Sequence, residues 1–210
     1  MESMLPDFFE RGGWLMYPIF LSSVVALGFF IERLLKLRRA RIMPRMLLQN
    51  LNDLVARSKY SDAMYLCQGH PSAISRIYQA ALKIYGQPRA MIKEVVQEVG
   101  RREASDLLKF IPVLATVASI APLLGLLGTV SGMIKTFNVI SYYGVGSPGS
   151  LAGGISEALL TTAAGLCVAI PTLVGYRYIS AKAEGLISEM EEQSLVLVEA
   201  LKAPENGHGL

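Results

Sequence analysis

The sequence predicts an all-α integral membrane protein with three transmembrane helices, the second and third extending into the cytoplasm, plus a helical cytoplasmic segment. Three observations predict it. Residues 12–31, 110–134 and 158–176 form runs of 20, 25 and 19 residues without a charged side chain. At about 1.5 Å per residue, each run is long enough to cross the hydrocarbon core of a bilayer as a helix. Apolar side chains make up 52% of the 210 residues, and the mean hydropathy is +0.40. Lys and Arg are placed unevenly: Arg33, Lys36, Arg38, Arg39, Arg41 and Arg45 follow the first run, whereas only Arg11 precedes it.

That asymmetry predicts the topology, because basic loops stay on the cytoplasmic side. Residues 1–11 are expected outside the cytoplasm, in the periplasm, and 12–31 form the first span. Its leading segment carries Glu2, Asp7 and Glu10, and it runs directly into Glu32-Arg33 without a small-residue cleavage site. It reads as a retained anchor rather than a signal peptide. Residues 32–109 are expected in the cytoplasm, 110–134 as the second span, 135–150 as a periplasmic loop, 151–177 as the third span and 178–210 as a cytoplasmic helix and tail.

Within the cytoplasmic region, Leu47, Leu48, Leu51, Leu54 and Val55 recur at helical spacing. Ser61-Asp62 is expected to cap a helix over 63–68, which the Gly69-His70-Pro71 turn stops. Ser72 is expected to cap the next helix, with Ile74, Ile77, Tyr78, Ala81 and Leu82 on one face. No proline interrupts the chain between Pro88 and Pro112, so one helix is expected from about residue 89 through the second span. The tail over 181–201 reads as helix and 203–210 as disordered.

Cys67 and Cys167 fall on opposite sides of the lipid boundary, which excludes a disulfide, and neither has metal-ligand spacing with His70 or His208. Both histidines read as loop residues. No cofactor or metal site is expected. No span contains His, and no catalytic residues emerge: there are no paired carboxylates, nucleophile–base couple or phosphate loop, so the chain does not read as an enzyme. The basic cluster lies against the membrane, where topology and lipid headgroups account for it better than nucleic acid does.

Charge inside the lipid is the informative feature. Between positions 110 and 176 only Lys135 and Glu157 are charged. An acid at the head of an apolar span costs about 2.5–3.5 kcal/mol on insertion scales, which marks it as functional by default. Glu157 stands about 100° from Ala158, on a stripe with Thr161, Ala164 and Val168. Small residues form two seams. Ala118, Pro122, Gly125, Thr129 and Gly132 repeat at steps of 4, 3, 4 and 3, and so do Ala158, Thr162, Gly165, Ala169 and Thr172. Lipid supplies no hydrophobic drive between helices, so close approach through small side chains takes its place. These positions are expected to line a helix seam or a pore. Thr129 and Thr162 add hydroxyls that bond their own helix or solvate a passing ion. Pro122 and Pro171 free the carbonyls of Ala118 and Cys167 for water or kinking.

The second span reads Ala121-Pro122-Leu123-Leu124-Gly125-Leu126-Leu127-Gly128-Thr129-Val130. The third reads Gly154-Ile155-Ser156-Glu157-Ala158-Leu159-Leu160-Thr161-Thr162-Ala163-Ala164-Gly165-Leu166, followed by Ala169-Ile170-Pro171. Together these blocks resemble the ExbB/TolQ/MotA family of ion-channel motor subunits, most closely its three-span ExbB and TolQ members. The opening Gly12-Gly13-Trp14-Leu15-Met16-Tyr17-Pro18-Ile19 is similar to short ExbB-like proteins.

The resemblance implies a homo-oligomer, a pentamer, in the bacterial inner membrane. Its pore would hold an ExbD- or TolR-like single-span partner carrying an aspartate. Glu157 takes the place of the family's intramembrane glutamate, and Thr129 and Thr162 those of its pore threonines. The implied activity is proton conduction that uses the proton motive force to drive envelope work, such as TonB-dependent transport, through a TonB- or TolA-like protein. A passive scaffold of a secretion or envelope assembly is the alternative, in which Glu157 only bridges to a basic residue.

Overall fold

Pro, Gly and charge spacing divide the chain into helices, and the computed structural model, which describes residues 12–144 and 148–201, contains helices and no strand among them. The helices are α1 (Met16–Lys36), α2 (Arg39–Ile42), α3 (Arg45–Ala56), α4 (Tyr60–Gly69), α5 (Ala73–Leu82), α6 (Arg89–Leu108), α7 (Ile111–Tyr143) and α8 (Pro148–Ala200). Three stretches are long and apolar enough to cross a membrane: α1, one within Arg89–Tyr142 and one within Ala152–Ala200. The all-α, three-span class holds.

The chain forms two compact units. Unit 1 runs to Arg33 and resumes over Phe110–Ile179; unit 2 takes Leu34–Lys109 and the chain from Ser180. In unit 1, α1 buries Met16, Ile19, Ala26 and Arg33 while Tyr17, Phe20, Leu21, Val24 and Leu27 face outwards. α7 and α8 likewise expose Leu123, Leu126, Val130, Phe137, Leu159, Ile170 and Val174. An apolar exterior of this extent matches a lipid solvent.

Unit 2 is built as a water-soluble domain is. Its core holds Leu37, Met43, Leu51, Ile74, Ile77, Tyr78, Ile92 and Leu197. Ser72 caps α5 as expected, its hydroxyl accepting from the Ser75 amide at 3.2 Å. Arg76 reaches Glu103 through two bonds of 2.5 Å, and Arg39 donates to Glu189 through Nε at 2.9 and 3.0 Å. The bond from Arg39 holds the Glu189 carboxyl below its ordinary range. Burial pushes the Cys67 thiol up to about 11 and raises the Tyr78 phenol as well. Tyr78 donates to Asn52 Oδ1 at 2.5 Å.

Three expectations are corrected. The helix expected from residue 89 through the second span is broken: α6 ends at Leu108, Phe110 takes φ +65°, and α7 begins at Ile111 with Pro112 in its first turn. Pro112 has no N–H for the Leu108 carbonyl and its ring crowds that carbonyl, and together with the left-handed Phe110 this ends one helix and starts the next. Arg33 lies over the Phe110 ring at 5.3 Å and Phe29 stacks on it at 5.4 Å. The loop expected over 135–150 is largely helical, because α7 continues to Tyr143 and α8 starts at Pro148. Lys135 does not end the helix, since it finds a carboxylate on α8. The helix expected over 63–68 begins earlier, at Tyr60, and neither Ser61 nor Asp62 caps it. The third helix extends past its span as expected, since the third span and the 181–201 helix are one continuous helix, α8. The expectations for 1–11 and 203–210 lie outside the described residues.

Candidate functional site

The α7–α8 hairpin is antiparallel, and its two helices touch where glycine removes the side chain. A Cβ on Gly132 would stand 2.7 Å from the Gly154 carbonyl oxygen and 2.9 Å from Ala158 Cβ. A Cβ on Gly128 would overlap the Thr161 hydroxyl, and one on Gly125 would meet Thr162 Cα at 3.0 Å. A Cβ on Gly165 would stand 2.6 Å from the Ala121 carbonyl oxygen. Lower numbers on α7 meet higher numbers on α8, as opposite chain directions require. The seam is therefore a backbone-to-backbone contact of the kind small residues permit in lipid.

The seam takes in much of the sequence-predicted set. Gly125, Gly132, Ala158 and Gly165 lie in direct mutual contact inside one chain, and Ala118 and Ala169 are buried. Pro122 and Thr172 are half-buried, and the Thr172 hydroxyl donates to the Val168 carbonyl one turn back. Thr162 donates across the seam to the Gly125 carbonyl at 3.0 Å. Thr129 instead donates to its own helix, to Leu126 O at 2.6 Å. Because Gly128 faces Thr161, Thr129 stands within about one turn of Thr162 in depth. The two hydroxyls share a level without bonding to each other.

Glu157 lies beside the seam, next to Ala158 and its contact with Gly132. Its side chain is 18% exposed, and Oε1 accepts from Lys135 Nζ at 2.5 Å across the hairpin. From the other side the Gly13 backbone, at φ +69°, packs against the same carboxylate so closely that a Cβ there would overlap Oε1. The acid is thus held between α8, α7 and the turn that enters α1. Further along, Thr136 and Gly154 pack side chain against backbone.

Four participants were missed by sequence reasoning. Thr161 is 1% exposed, fills the space over Gly128, and bonds backwards to the carbonyls of Glu157 and Ala158 at 3.0 Å. Gly128 was readable as a seam residue, since Gly125, Gly128 and Gly132 also follow helical spacing; the stripe chosen ran one position to its side. Lys135 was readable as a partner too, being the lone opposite charge that an antiparallel hairpin could fold onto Glu157. Nothing in the sequence pointed from Gly13 to position 157. Among the described residues, no group of three His, Cys, Asp or Glu side chains could hold a metal ion.

The site can position one carboxylate and one ammonium beside a row of threonine hydroxyls along a largely apolar hairpin. Residues 70–192 match the family model described as the MotA/TolQ/ExbB proton channel family. The chain is 36% identical over 185 residues to the putative biopolymer transport protein ExbB-like 1 of Synechocystis, covering 83% of this chain and 70% of that protein. It is 35% identical over 127 residues to the Tol-Pal system protein TolQ of Pseudomonas aeruginosa, covering 55% of each. It is 27% identical over 212 residues to the biopolymer transport protein ExbB of Neisseria meningitidis, covering 87% of this chain and 90% of that protein.

Proposed function

Because the chain belongs to the MotA/TolQ/ExbB proton channel family, we propose that it is the ion-conducting subunit of an inner-membrane motor that uses the proton motive force for envelope work. The observation that carries this reading is Glu157, a carboxylate held inside a helical hairpin whose outer faces are apolar. In the proposed assembly several copies, a pentamer by family resemblance, surround a single-span ExbD- or TolR-like partner bearing an aspartate. The Neisseria relative's name and the Pseudomonas relative's name support biopolymer transport and Tol-type work as the driven processes. A TonB- or TolA-like protein would receive the force.

The physics of the step is as follows. A potential of 100 mV supplies about 2.3 kcal/mol per elementary charge. A proton entering from outside neutralises the partner's aspartate near Thr129 and Thr162. A neutral acid passes apolar wall at far lower cost than an ionised one, so the partner turns within the ring. Release to the cytoplasm restores the charge. Thr162 and Thr129 each donate to a carbonyl, which leaves the hydroxyl oxygen's lone pairs free to accept from a passing donor.

The test is proton uptake by vesicles carrying the chain with its partner. Glu157→Ala and Thr162→Ala are each expected to lower the flux by at least about tenfold, the loss that about 1.4 kcal/mol on a rate-limiting barrier produces. Unaltered flux in both variants would remove the assignment. A passive scaffold is the second reading, favoured by the in-chain pairing of Glu157 with Lys135, which is what a purely structural acid does. Under it, both variants assemble less well and the flux per assembled complex does not change.

A further inference from the structure

The geometry points to Lys135 as a positioning residue that keeps the outer carboxylate closed: in the resting chain it occupies Glu157, and Gly13 completes the cradle from the opposite side. A cation arriving from outside reaches this carboxylate only by displacing the ammonium. Glu157 is occupied by Lys135 whatever the protein does; that the pair shuts an ion route rests on the function proposed above.

Three elements converge on one oxygen. Lys135 Nζ lies 2.5 Å from Glu157 Oε1, and Lys135 is half exposed while Glu157 is largely covered. The ammonium is the more exposed member of the pair and the carboxylate the more covered, so the cation is the member positioned to swing away. Gly13 holds a left-handed φ of +69° that L side chains rarely adopt, and its backbone lies against the same oxygen. Any side chain at 13 would push the carboxylate off its present position, because the far end of a glutamate is the part free to move. Below the pair, the contacts of Gly132 with Gly154 and Ala158 hold the helices at backbone distance. They keep Lys135 and Glu157 within reach of each other. Among the described residues, Lys135 on α7 and the Gly13 backbone ahead of α1 are what face the carboxylate.

A largely covered acid next to a lysine differs chemically from the same acid alone. A hydrophobic carbodiimide adds to a protonated carboxyl, taking its proton, and the adduct rearranges to a stable N-acylurea on the residue. A carboxylate held by an ammonium resists. If activated, it is captured by the lysine amine, with loss of one water to the carbodiimide and a covalent link between positions 135 and 157.

The experiment treats the purified full chain with its partner with dicyclohexylcarbodiimide and maps the products by mass spectrometry. In the native chain Glu157 is expected to be protected or linked to Lys135. Lys135→Met is expected to raise the N-acylurea at Glu157 by about tenfold, the change matched by about 1.4 kcal/mol of lost interaction. Lys135→Arg should restore protection, since it keeps the charge. Gly13→Ala should also raise labelling, with Lys135 still present. Size-exclusion of each variant complex establishes that it is assembled. Equal labelling of the native chain and Lys135→Met would overturn the role of Lys135, and unchanged labelling in Gly13→Ala would overturn that of Gly13. Proton flux is measured in parallel. If Glu157→Ala leaves the flux intact while the labelling pattern holds, the motor assignment fails and the cradle stands.

Discussion

Two adjacent threonines show how much one position decides. Thr161 and Thr162 sit about 100° apart on α8, and their hydroxyls do different things. Thr161 bonds within its own helix, whereas Thr162 bonds across to Gly125. Replacing Thr162 by Val keeps the volume and removes an interhelical bond, which is expected to cost about 0.6 kcal/mol and at most about 1.7. Thr161→Val removes a hydroxyl from carbonyls that retain their helical donors, and is expected to cost less. Reversible unfolding in mixed micelles ranks the two, and a larger loss for Thr161→Val would contradict the bonding pattern. The sequence showed that hydroxyls lie in this span. It identified Thr162 through the seam spacing and missed Thr161, because the choice between neighbouring stripes depends on where the partner helix lies.

At the scale of elements, the α7–α8 seam was legible as two rows of small residues, and its register was not. Glycines differ sharply once the register is known. Gly165→Ala would place a Cβ 2.6 Å from a backbone oxygen of α7, which cannot rotate away, so the helices must part. The expected loss is about 1–3 kcal/mol, as for other overpacked contacts, read as a lower thermal midpoint in detergent. Gly185, later on the same helix, has nothing within 4 Å of its added Cβ. Gly185→Ala is expected to gain about 0.5–1 kcal/mol from helix propensity. Equal effects at the two sites would refute the close packing. The break at Lys109 and Phe110 carries a similar lesson. The proline-free run from Pro88 to Pro112 suggested one helix through the boundary, yet Pro112 itself lies close enough to bar the hydrogen bond to Leu108. The proline was visible, and its consequence reaches one turn back along the chain.

For the whole molecule, the two units rest on different physics and should fail under different stresses. Unit 1 has an apolar exterior and glycine contacts; unit 2 has a compact core with buried Cys67 and Tyr78. Burial raises the Cys67 thiol from 9.0 to about 11. An unfolded chain sheds that proton first, so the stabilisation is complete below about 9.0 and is lost as pH climbs towards about 11. Tyr78 acts in the same direction. Helical signal in detergent is therefore expected to fall over that window, and Cys67→Ala should weaken the dependence. A pH-independent signal in the native chain would rule this out.

The sequence by itself determined the class, the three spans and the scarcity of charge within them, because a bilayer's thickness and dielectric act on composition and length alone. It also singled out Glu157, since an acid in such a run has no ordinary explanation. Only the tertiary structure decided what Glu157 touches. Its ammonium partner is 22 residues away in the chain and its backbone wall at Gly13 far further, and contacts between antiparallel helices follow from register, which spacing along one helix does not specify.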